Sequence, residues 1–157
     1  MLKRMGLAFG LALLASGASA QAQVQGCEIR DVGIYSVETK AGQPADSGKP
    51  HLDLATTSIP LKLGVQFGFA VKITGTPDGA FVTIRKATHY PAPGAKDPES
   101  KTPLLVHSSS MDRALNRYYL ASYELEEPWE LVPGRWLFQF WSGDRKLCEQ
   151  EFTLVKE

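Results

Sequence analysis

Side chains that could carry out chemistry are few in this sequence of 157 residues, and they lie far apart. Its histidines are His51, His89 and His107. A zinc site needs several convergent nitrogen, sulfur or oxygen ligands, usually with short local spacing, and these three residues lack that spacing. The serine run at 108–110 lacks the Gly-x-Ser-x-Gly context that exposes a nucleophile on a strained turn. We therefore predict no catalytic residue, no metal and no other cofactor from these residue types.

Four glutamates lie close together beside Pro128 and Trp129. Paired carboxylates can run acid–base chemistry when their environments drive their pKa values apart. Here, however, the first two alternate with Tyr123 and Leu125, which puts them on the solvent side of a strand. We expect a solvated acidic face, with a weak cation or basic-partner contact as the alternative. The four residues are Glu124, Glu126, Glu127 and Glu130.

The two cysteines, Cys27 and Cys148, stand near the two ends of the chain. In an exported protein such a pair predicts a disulfide. The chain-entropy model assigns roughly 4–5 kcal/mol to a closed loop of ~100 residues. Segment 24–27 (VQGC) also loosely resembles a lipobox, in which Cys27 would become a lipidated N-terminus. Gln25 fits that pattern poorly and the alternative leaves Cys148 without a partner, so we favour the disulfide.

The N-terminus has the three parts of a secretory signal peptide. A basic start precedes a short apolar run at 6–15, and small residues lead up to Ala20. We predict a signal peptide over residues 1–20, with cleavage after Ala22 as the alternative, and one mature domain over 21–157. The apolar run is shorter than the ~18–20 residues that cross a bilayer. We therefore expect a periplasmic or secreted protein with no membrane span.

Charge gives no reason to expect a nucleic-acid partner. The chain has 17 basic and 17 acidic side chains, and the leader contains two of the basic ones, Lys3 and Arg4. The mature chain is therefore close to neutral, with both signs interspersed. Such a chain has no electrostatic attraction for nucleic acid or for an anionic membrane surface. The partner we expect is an envelope protein or a glycan.

The clearest pattern is an alternation from Ile59 to Ile73, in which every odd position is apolar. Such alternation predicts a strand with one buried face. The run exceeds the usual strand length of ~3–10 residues, so we expect a break near Gly64. A turn follows at 75–79, where proline presets φ and glycine supplies a positive φ. We expect residues 80–88 to return from this turn as the hairpin partner.

The C-terminal part predicts a second hairpin. Strands at 135–141 and 146–155 flank a Ser-Gly-Asp turn, and the aromatic side chains of the first strand share one face. We also predict strands at 28–38, 104–109 and 118–125, and a brief helical turn at 111–116. Segments 40–49 and 91–103, rich in Gly, Pro, Asp and Ser, are predicted to be loops.

About seven short strands separated by turns predict an all-β fold, a single immunoglobulin-like antiparallel β-sandwich. In such a sandwich the first and last strands can lie side by side. That arrangement would bring Cys27 and Cys148 within bonding distance.

Two blocks of sequence resemble a known family of short bacterial exported domains of unknown function. Segment 59–69 (IPLKLGVQFGF) resembles the front motif of that family. Segment 133–141 (PGRWLFQFW), continuing to 149–152 (EQEF), resembles its closing motif. With the linking strands, the similarity covers about Cys27 to Val155. The resemblance implies a β-sandwich, carries over no activity, and does not bear on the disulfide.

Alternation also predicts a surface patch. The strands at 118–125 and 135–141 each carry apolar side chains opposite their buried aromatic face. If these strands neighbour one another, their outer face is apolar, and exposed patches beyond a few hundred Å² often mark partner or ligand sites. The alternatives are that loop 91–103 covers the patch or that the faces are assigned one residue out. The predicted patch consists of Trp141, Leu137, Tyr118, Leu120 and Trp129.

Three hypotheses for function follow. The first is a non-catalytic binding or assembly module of the bacterial cell envelope that uses a sheet face or the loops at one end. The second is an enzyme, a hydrolase with its residues on loop 91–103, and the lack of a nucleophile–base or metal motif counts against it. The third is a carbohydrate-binding module built on Trp129 or Trp141, which requires those indoles to be exposed.

Overall fold

The computed structural model describes residues 21–38, 42 and 48–156. The predicted leader over 1–20 and most of the predicted loop at 40–49 lie outside these residues. Within them the chain forms nine β-strands and a 3₁₀-helix at Pro128–Glu130. The strands are β1 (Gln23–Glu38), β2 (Lys49–Ala55), β3 (Ser58–Pro60), β4 (Gln66–Thr76), β5 (Phe81–His89), β6 (Val106–Ala114), β7 (Tyr118–Glu124), β8 (Gly134–Ser142) and β9 (Arg145–Val155).

The described strands form two sheets. One has four strands in the order β2-β1-β4-β7, and the other has five in the order β3-β9-β8-β5-β6. Neighbouring strands are antiparallel except for the short parallel pair β3–β9. The predicted all-β immunoglobulin-like sandwich is confirmed, with nine strands instead of about seven. The two additional strands are β2, which no sequence pattern predicts, and β3, which the predicted break near Gly64 separates from β4.

The core lies between the two sheets and is built by the alternation that the sequence predicts. The odd positions of β4 are buried, and Trp136, Phe138 and Phe140 of β8 are buried opposite them. Phe67 is central, because its ring lies 5.0 Å from that of Phe152 and 6.1 Å from that of Trp136 between centroids, both edge to face. Such edge-to-face pairs add to the stabilisation from burial. The predicted β8–β9 hairpin is confirmed by its register, which pairs Trp136 with Phe152.

A disulfide between Cys27 and Cys148 joins the two sheets. Cys27 lies in β1 opposite Ile73, and Cys148 lies in β9 opposite Phe140. Their Cα atoms are 5.9 Å apart, within the range that a disulfide spans. The first and last strands therefore face each other from different sheets instead of lying side by side in one. Because the thiol of Cys27 is engaged, it is not free to carry a lipid.

The predicted hairpin between the strands before and after the 75–79 turn is wrong. β4 pairs with β1 and β7, whereas β5 pairs with β6 and β8 in the other sheet. The turn is instead held by Asn116, whose side-chain amide accepts a hydrogen bond from the Gly75 N–H and donates one to the Gly75 carbonyl. A turn sequence fixes a change of direction but not the partner strand. Crossing between sheets lets the apolar faces of β4 and β5 bury one another.

The predicted helical turn at 111–116 is also wrong. Residues 106–114 form β6, which pairs residue by residue with β5 from Phe81↔Ala114 to His89↔Val106. A six-residue helix is marginal in isolation because nucleation is costly. The ladder of hydrogen bonds to β5 therefore outweighs the weak helical signal.

Candidate functional site

The predicted patch is divided between the two sheets. Tyr118 and Leu120 lie on β7 in the four-stranded sheet, whereas Leu137 and Trp141 lie on β8 in the five-stranded sheet. The two strands do not neighbour one another, so the condition for a continuous patch is not met. The cause is the crossover at 75–79, which carries the chain to the five-stranded sheet. There β5 pairs with β8, whereas β7 pairs with β4 in the four-stranded sheet.

The tryptophan side of the predicted patch is partly covered. Trp141 is half-buried, its indole N–H donates to the Gln139 side chain at 3.3 Å, and the Arg85 guanidinium lies 4.9 Å from its ring centroid. Trp129 is half-buried and packs against the core. Leu137 is half-buried as well. The Arg85 guanidinium therefore covers one face of the Trp141 indole.

The other half of the patch borders an open groove of about 320 Å³ on the four-stranded sheet. Tyr118 and Leu120 form one side of it, and side chains of β1 and β2 form the other. More of its exposed lining is apolar than polar. The eight residues that line this groove are Asp31, Tyr35, Pro50, Leu52, Ala70, Tyr118, Tyr119 and Leu120.

Small residues and an irregular strand position the groove. Ala70 of β4 lies on its floor, and two residues earlier on the same face is Gly68, which pairs with Gly33 of β1. A Cβ at Gly68 would lie 2.2 Å from the Ala121 carbonyl oxygen, so the close approach of β4 and β7 requires glycine. The register of β1 against β4 shifts between Arg30 and Gly33, a β-bulge that changes which side chains face outward.

The rim of the groove carries charges that are already paired. The Lys72 ammonium lies 2.8 Å from the Glu28 carboxylate, which also accepts a hydrogen bond from the Tyr118 phenol at 2.9 Å. These two donors hold the pKa of Glu28 below its usual range. The Arg30 guanidinium lies 3.7 Å from the Tyr118 ring centroid and pairs with Asp31 at 3.2 Å. The rim therefore positions the Tyr118 ring without giving the groove a large charge of one sign.

Tyr35 is the most buried side chain of the groove wall, with 8% of its surface exposed. Its phenol donates a hydrogen bond to the Asp31 backbone carbonyl. Burial, and next the Asp31 carboxylate, raise the pKa of Tyr35, so the phenol stays neutral. A packed and hydrogen-bonded tyrosine makes this wall rigid, which lowers the entropic cost of binding a ligand against it.

The prediction of a solvated acidic face is wrong for one of its four residues, Glu130. Glu124, Glu126 and Glu127 are exposed as predicted, but only 8% of Glu130 is exposed. The Glu130 carboxylate accepts hydrogen bonds from the Tyr123 phenol at 2.6 Å and from the backbone N–H groups of Glu126 and Glu127 at 2.8 and 2.9 Å. Burial, and next the hydrogen bond to the Glu130 carboxylate, raise the pKa of Tyr123. The Glu130 carboxylate therefore caps the start of the 3₁₀-helix, and both of its oxygens accept hydrogen bonds from these three donors.

None of the three histidines lines the groove, and neither does the 91–103 loop. His51 contacts Asp53 at 3.0 Å and His89 contacts Gln139 at 2.9 Å. Across the described residues, no group of three or more His, Cys, Asp and Glu side chains is arranged to hold a metal ion. The polar side chains of the loop make local turn contacts, as when Ser100 donates to the Thr102 carbonyl.

The family of this chain is shown by its sequence. The family described as "Domain of unknown function (DUF3859)" matches residues 23–154. The chain belongs to the DUF3859 family. This confirms the resemblance that the front and closing motifs indicate, and it places every strand of both sheets, except the last residue of β9, within the family's extent. Comparison with curated proteins gives no match.

A solved structure supports the fold of this DUF3859 chain. An immunoglobulin-like protein from Pseudomonas aeruginosa is similar over 88% of this chain and 100% of its own, with 24% identity and a TM-score of 0.57. An alkylpurine DNA glycosylase from Pseudomonas fluorescens matches over 82% of this chain and 30% of its own, with 12% identity and a TM-score of 0.42. Across the described residues, no helix is long and apolar enough to cross a membrane.

Several residues that line the groove were not predicted from the sequence. Asp31, Tyr35 and Leu52 line it, although none was predicted to be a site residue. The signal for Tyr35 was hidden by the bulge, because apolar residues in 28–38 occupy both odd and even positions. A break in alternation within a strand is the feature that could have indicated an outward-facing tyrosine.

Proposed function

We propose that this DUF3859 chain is an exported, non-catalytic binding or assembly module of the bacterial cell envelope, and that it binds an apolar segment of another envelope protein in the groove of the four-stranded sheet. The observation that carries the proposal is the open, mainly apolar groove of about 320 Å³. Ligand sites are typically concave, largely apolar and preformed, with a few polar groups that fix orientation.

The contacts around the groove support a protein segment as ligand. Rim charges pair with each other, as in Lys72–Glu28 and Arg30–Asp31, so a strongly charged ligand would gain little from them. Tyr35 and its cross-strand partner Leu52 form one wall, which favours an apolar side chain packed between this wall and Tyr118 and Leu120 on the other side. Tyrosine is also enriched at protein interfaces, where its ring contributes area at low entropic cost.

Export is supported by two independent features. The N-terminal 20 residues have the pattern of a signal peptide, and the Cys27–Cys148 disulfide is typical of an oxidising compartment. Mass spectrometry of the protein recovered from the periplasm or medium should give a mature chain beginning at Gln21, or at Gln23 for cleavage after Ala22. Recovery of the uncleaved chain from the cytoplasm would contradict export.

The binding test uses two leucines of the same edge strand. Leu52 lines the groove, whereas Leu54 is 57% exposed and lies outside its lining. Envelope proteins are captured from the native host with wild type, Leu52→Gln and Leu54→Gln, and compared by quantitative mass spectrometry. We expect a partner that is enriched by wild type and Leu54→Gln and lost with Leu52→Gln. Equal enrichment by both variants would refute a role for the groove.

A glycan platform on tryptophan has less support, since Trp129 and Trp141 are both half-buried. Iodide quenching of tryptophan fluorescence checks this point. We expect weak quenching in the native protein and strong quenching after unfolding in denaturant. Strong quenching of the native protein would restore the carbohydrate-binding hypothesis.

A further inference from the structure

A second cavity, of about 200 Å³, opens between the two sheets on the side where β7 is the edge of one and β6 the edge of the other. It shares Leu120 with the predicted patch and is lined from both sheets. The five-stranded sheet contributes Lys86, Met111 and Arg113, and β7 contributes Tyr119, Leu120, Ala121 and Ser122. We refer to it as the edge cleft.

Lys86 faces inward, against the usual rule for a charged side chain. It lies between the buried residues Ile84 and Thr88 on β5 and pairs with Phe140 of β8, so its side chain points to the core side of the sheet. Its ammonium lies 5.2 Å from the ring centroid of Phe138. Desolvation, and next the nearby Arg113 guanidinium, lower the pKa of Lys86. The cleft therefore holds two cations that repel one another.

These two cations have no acidic partner among the described residues. Neither Lys86 nor Arg113 takes part in any of the ion pairs found between described side chains. The Asp112 carboxylate, next in sequence to Arg113, accepts a hydrogen bond from Thr83 at 2.7 Å instead. Two positive charges partly removed from water without a counter-charge are costly to folding, so their presence requires a reason.

Two buried polar atoms at the same place lack hydrogen-bond partners. They are the Nε of Arg113 and the phenol oxygen of Tyr119, the two such side-chain atoms in the described part of the chain. The Arg113 guanidinium lies 4.3 Å from the Tyr119 ring centroid, and its Nη1 donates to the Asp112 carbonyl at 3.0 Å. Burial raises the pKa of the Tyr119 phenol, and the adjacent Arg113 guanidinium lowers it. Native proteins satisfy almost all buried polar groups, so two adjacent ones without a hydrogen-bond partner mark a place where an added acceptor would be favourable.

We propose that the edge cleft binds a small organic oxyanion, a carboxylate or a phosphate ester with a short apolar portion, through Lys86, Arg113 and Tyr119. An oxyanion supplies what the cleft lacks: negative charge for the two cations and acceptor oxygens for the guanidinium and the phenol. Arginine presents several donors that match carboxylate and phosphate geometry. Met111, Leu120 and Ala121 form the apolar remainder of the lining and suit a short hydrocarbon portion.

The edge cleft shares Tyr119 and Leu120 of β7 with the groove proposed above, but the two sites differ in their charged residues. Lys86 and Arg113 of the cleft come from β5 and β6, whereas the charged side chains of the groove rim come from β1 and β4. Leu52, the groove residue chosen for the binding test, does not line the edge cleft. Lys86 in turn does not line the groove, so variants at Leu52 and at Lys86 distinguish failure of one proposal from failure of the other.

The test uses butyrate, inorganic phosphate and, at matched ionic strength, chloride. Each is titrated into the purified, disulfide-bonded protein while thermal unfolding and the amide ¹H–¹⁵N spectrum are recorded. We expect butyrate or phosphate, but not chloride, to raise the Tm in a saturable manner and to shift amides of β5, β6 and β7. A response to butyrate alone identifies a carboxylate site, and a response to phosphate alone identifies a phosphate site. No effect beyond that of chloride would overturn the proposal.

Variants assign the effect to the cleft. Lys86→Met keeps the chain length and removes the charge, and Tyr119→Phe removes only the phenol oxygen. Each should weaken the apparent affinity, Lys86→Met by about tenfold or more, the scale of a lost charged hydrogen bond. Arg85→Met, one residue away on the opposite side of β5, should leave the affinity unchanged. Unchanged affinity in both cleft variants, or an equal loss with Arg85→Met, would refute the site.

Discussion

Breaking the Cys27–Cys148 disulfide should lower the Tm of this protein by about 10–20 °C. The bridge spans 121 residues of sequence, and the chain-entropy model gives about 4.9 kcal/mol for a loop of that length at 25 °C. For a domain of this size each kcal/mol corresponds to ~3–4 °C in Tm. Residual structure in the reduced unfolded chain lowers the effect, which sets the lower end of the range.

The native structure provides a reason to place this effect in the unfolded state. The Arg145 guanidinium, at the start of β9, donates hydrogen bonds to the backbone carbonyls of Val24 and Gln25 in β1. This contact keeps β1 and β9 together without the covalent bond. Reduction should therefore leave the far-ultraviolet circular dichroism of the folded protein unchanged while the Tm falls.

The assay compares oxidised wild type, wild type in reductant and the Cys27→Ala/Cys148→Ala variant. The reduced wild type and the variant should unfold at similar temperatures, and reductant should have no effect on the variant. Thiol labelling in denaturant should detect no free thiol before reduction and two after it. A fall of less than about 3 °C on reduction would refute the argument that the bridge acts by limiting the unfolded chain.

Strand packing, the buried carboxylate and the edge cleft give three further predictions, each measured by chemical or thermal denaturation. Gly68→Ala should lower the free energy of unfolding by about 1–3 kcal/mol, because its Cβ would lie 2.2 Å from the Ala121 carbonyl oxygen, whereas Gly26→Ala meets nothing closer than 3.5 Å and should be near neutral; equal losses would contradict this. Glu130→Leu leaves the Tyr123 phenol and two backbone N–H groups without their acceptor and should cost about 1–3 kcal/mol, against less than ~0.5 kcal/mol for the exposed Glu126→Leu. Lys86→Met should stabilise the ligand-free protein by about 1 kcal/mol at pH 7. The pKa of Lys86 is lowered in the folded state. The destabilisation that its charge causes in wild type is therefore complete below the folded pKa and fades as pH rises toward the ordinary value of 10.5. A stabilisation by Lys86→Met that stays constant up to pH 11 would count against a charge effect.

Alternation along the sequence predicted which side chains are buried, because it depends only on the geometry of one strand. The odd positions of β4 and the aromatic face of β8 lie in the core for that reason. The predicted break near Gly64 is confirmed as well, because Gly64 has φ +83°, a conformation that favours glycine. These features are local, so one sequence suffices to find them.

The choice of partner strand was not predictable by the same means. The 75–79 turn could join two strands of one sheet or carry the chain to the other sheet, and its residues suit both. The outcome depends on β7, about 40 residues later in the chain, which takes the place beside β4 and whose preceding turn residue Asn116 bonds to Gly75. The groove was missed for this reason, since it lies across β1, β2, β4 and β7.

The residues that depart from the pattern separate structural exceptions from candidate sites. Glu130 is a buried carboxylate, yet its oxygens accept three hydrogen bonds and it borders neither cavity. Lys86 is an inward-facing cation whose neighbours, Arg113 and Tyr119, keep buried polar atoms without partners in the described chain. Proteins usually violate local rules where function requires it, but only an exception whose polar groups remain unsatisfied leaves something for a ligand to provide. By that criterion the edge cleft, and not the acidic segment beside Trp129, is where chemistry is to be sought in this sandwich.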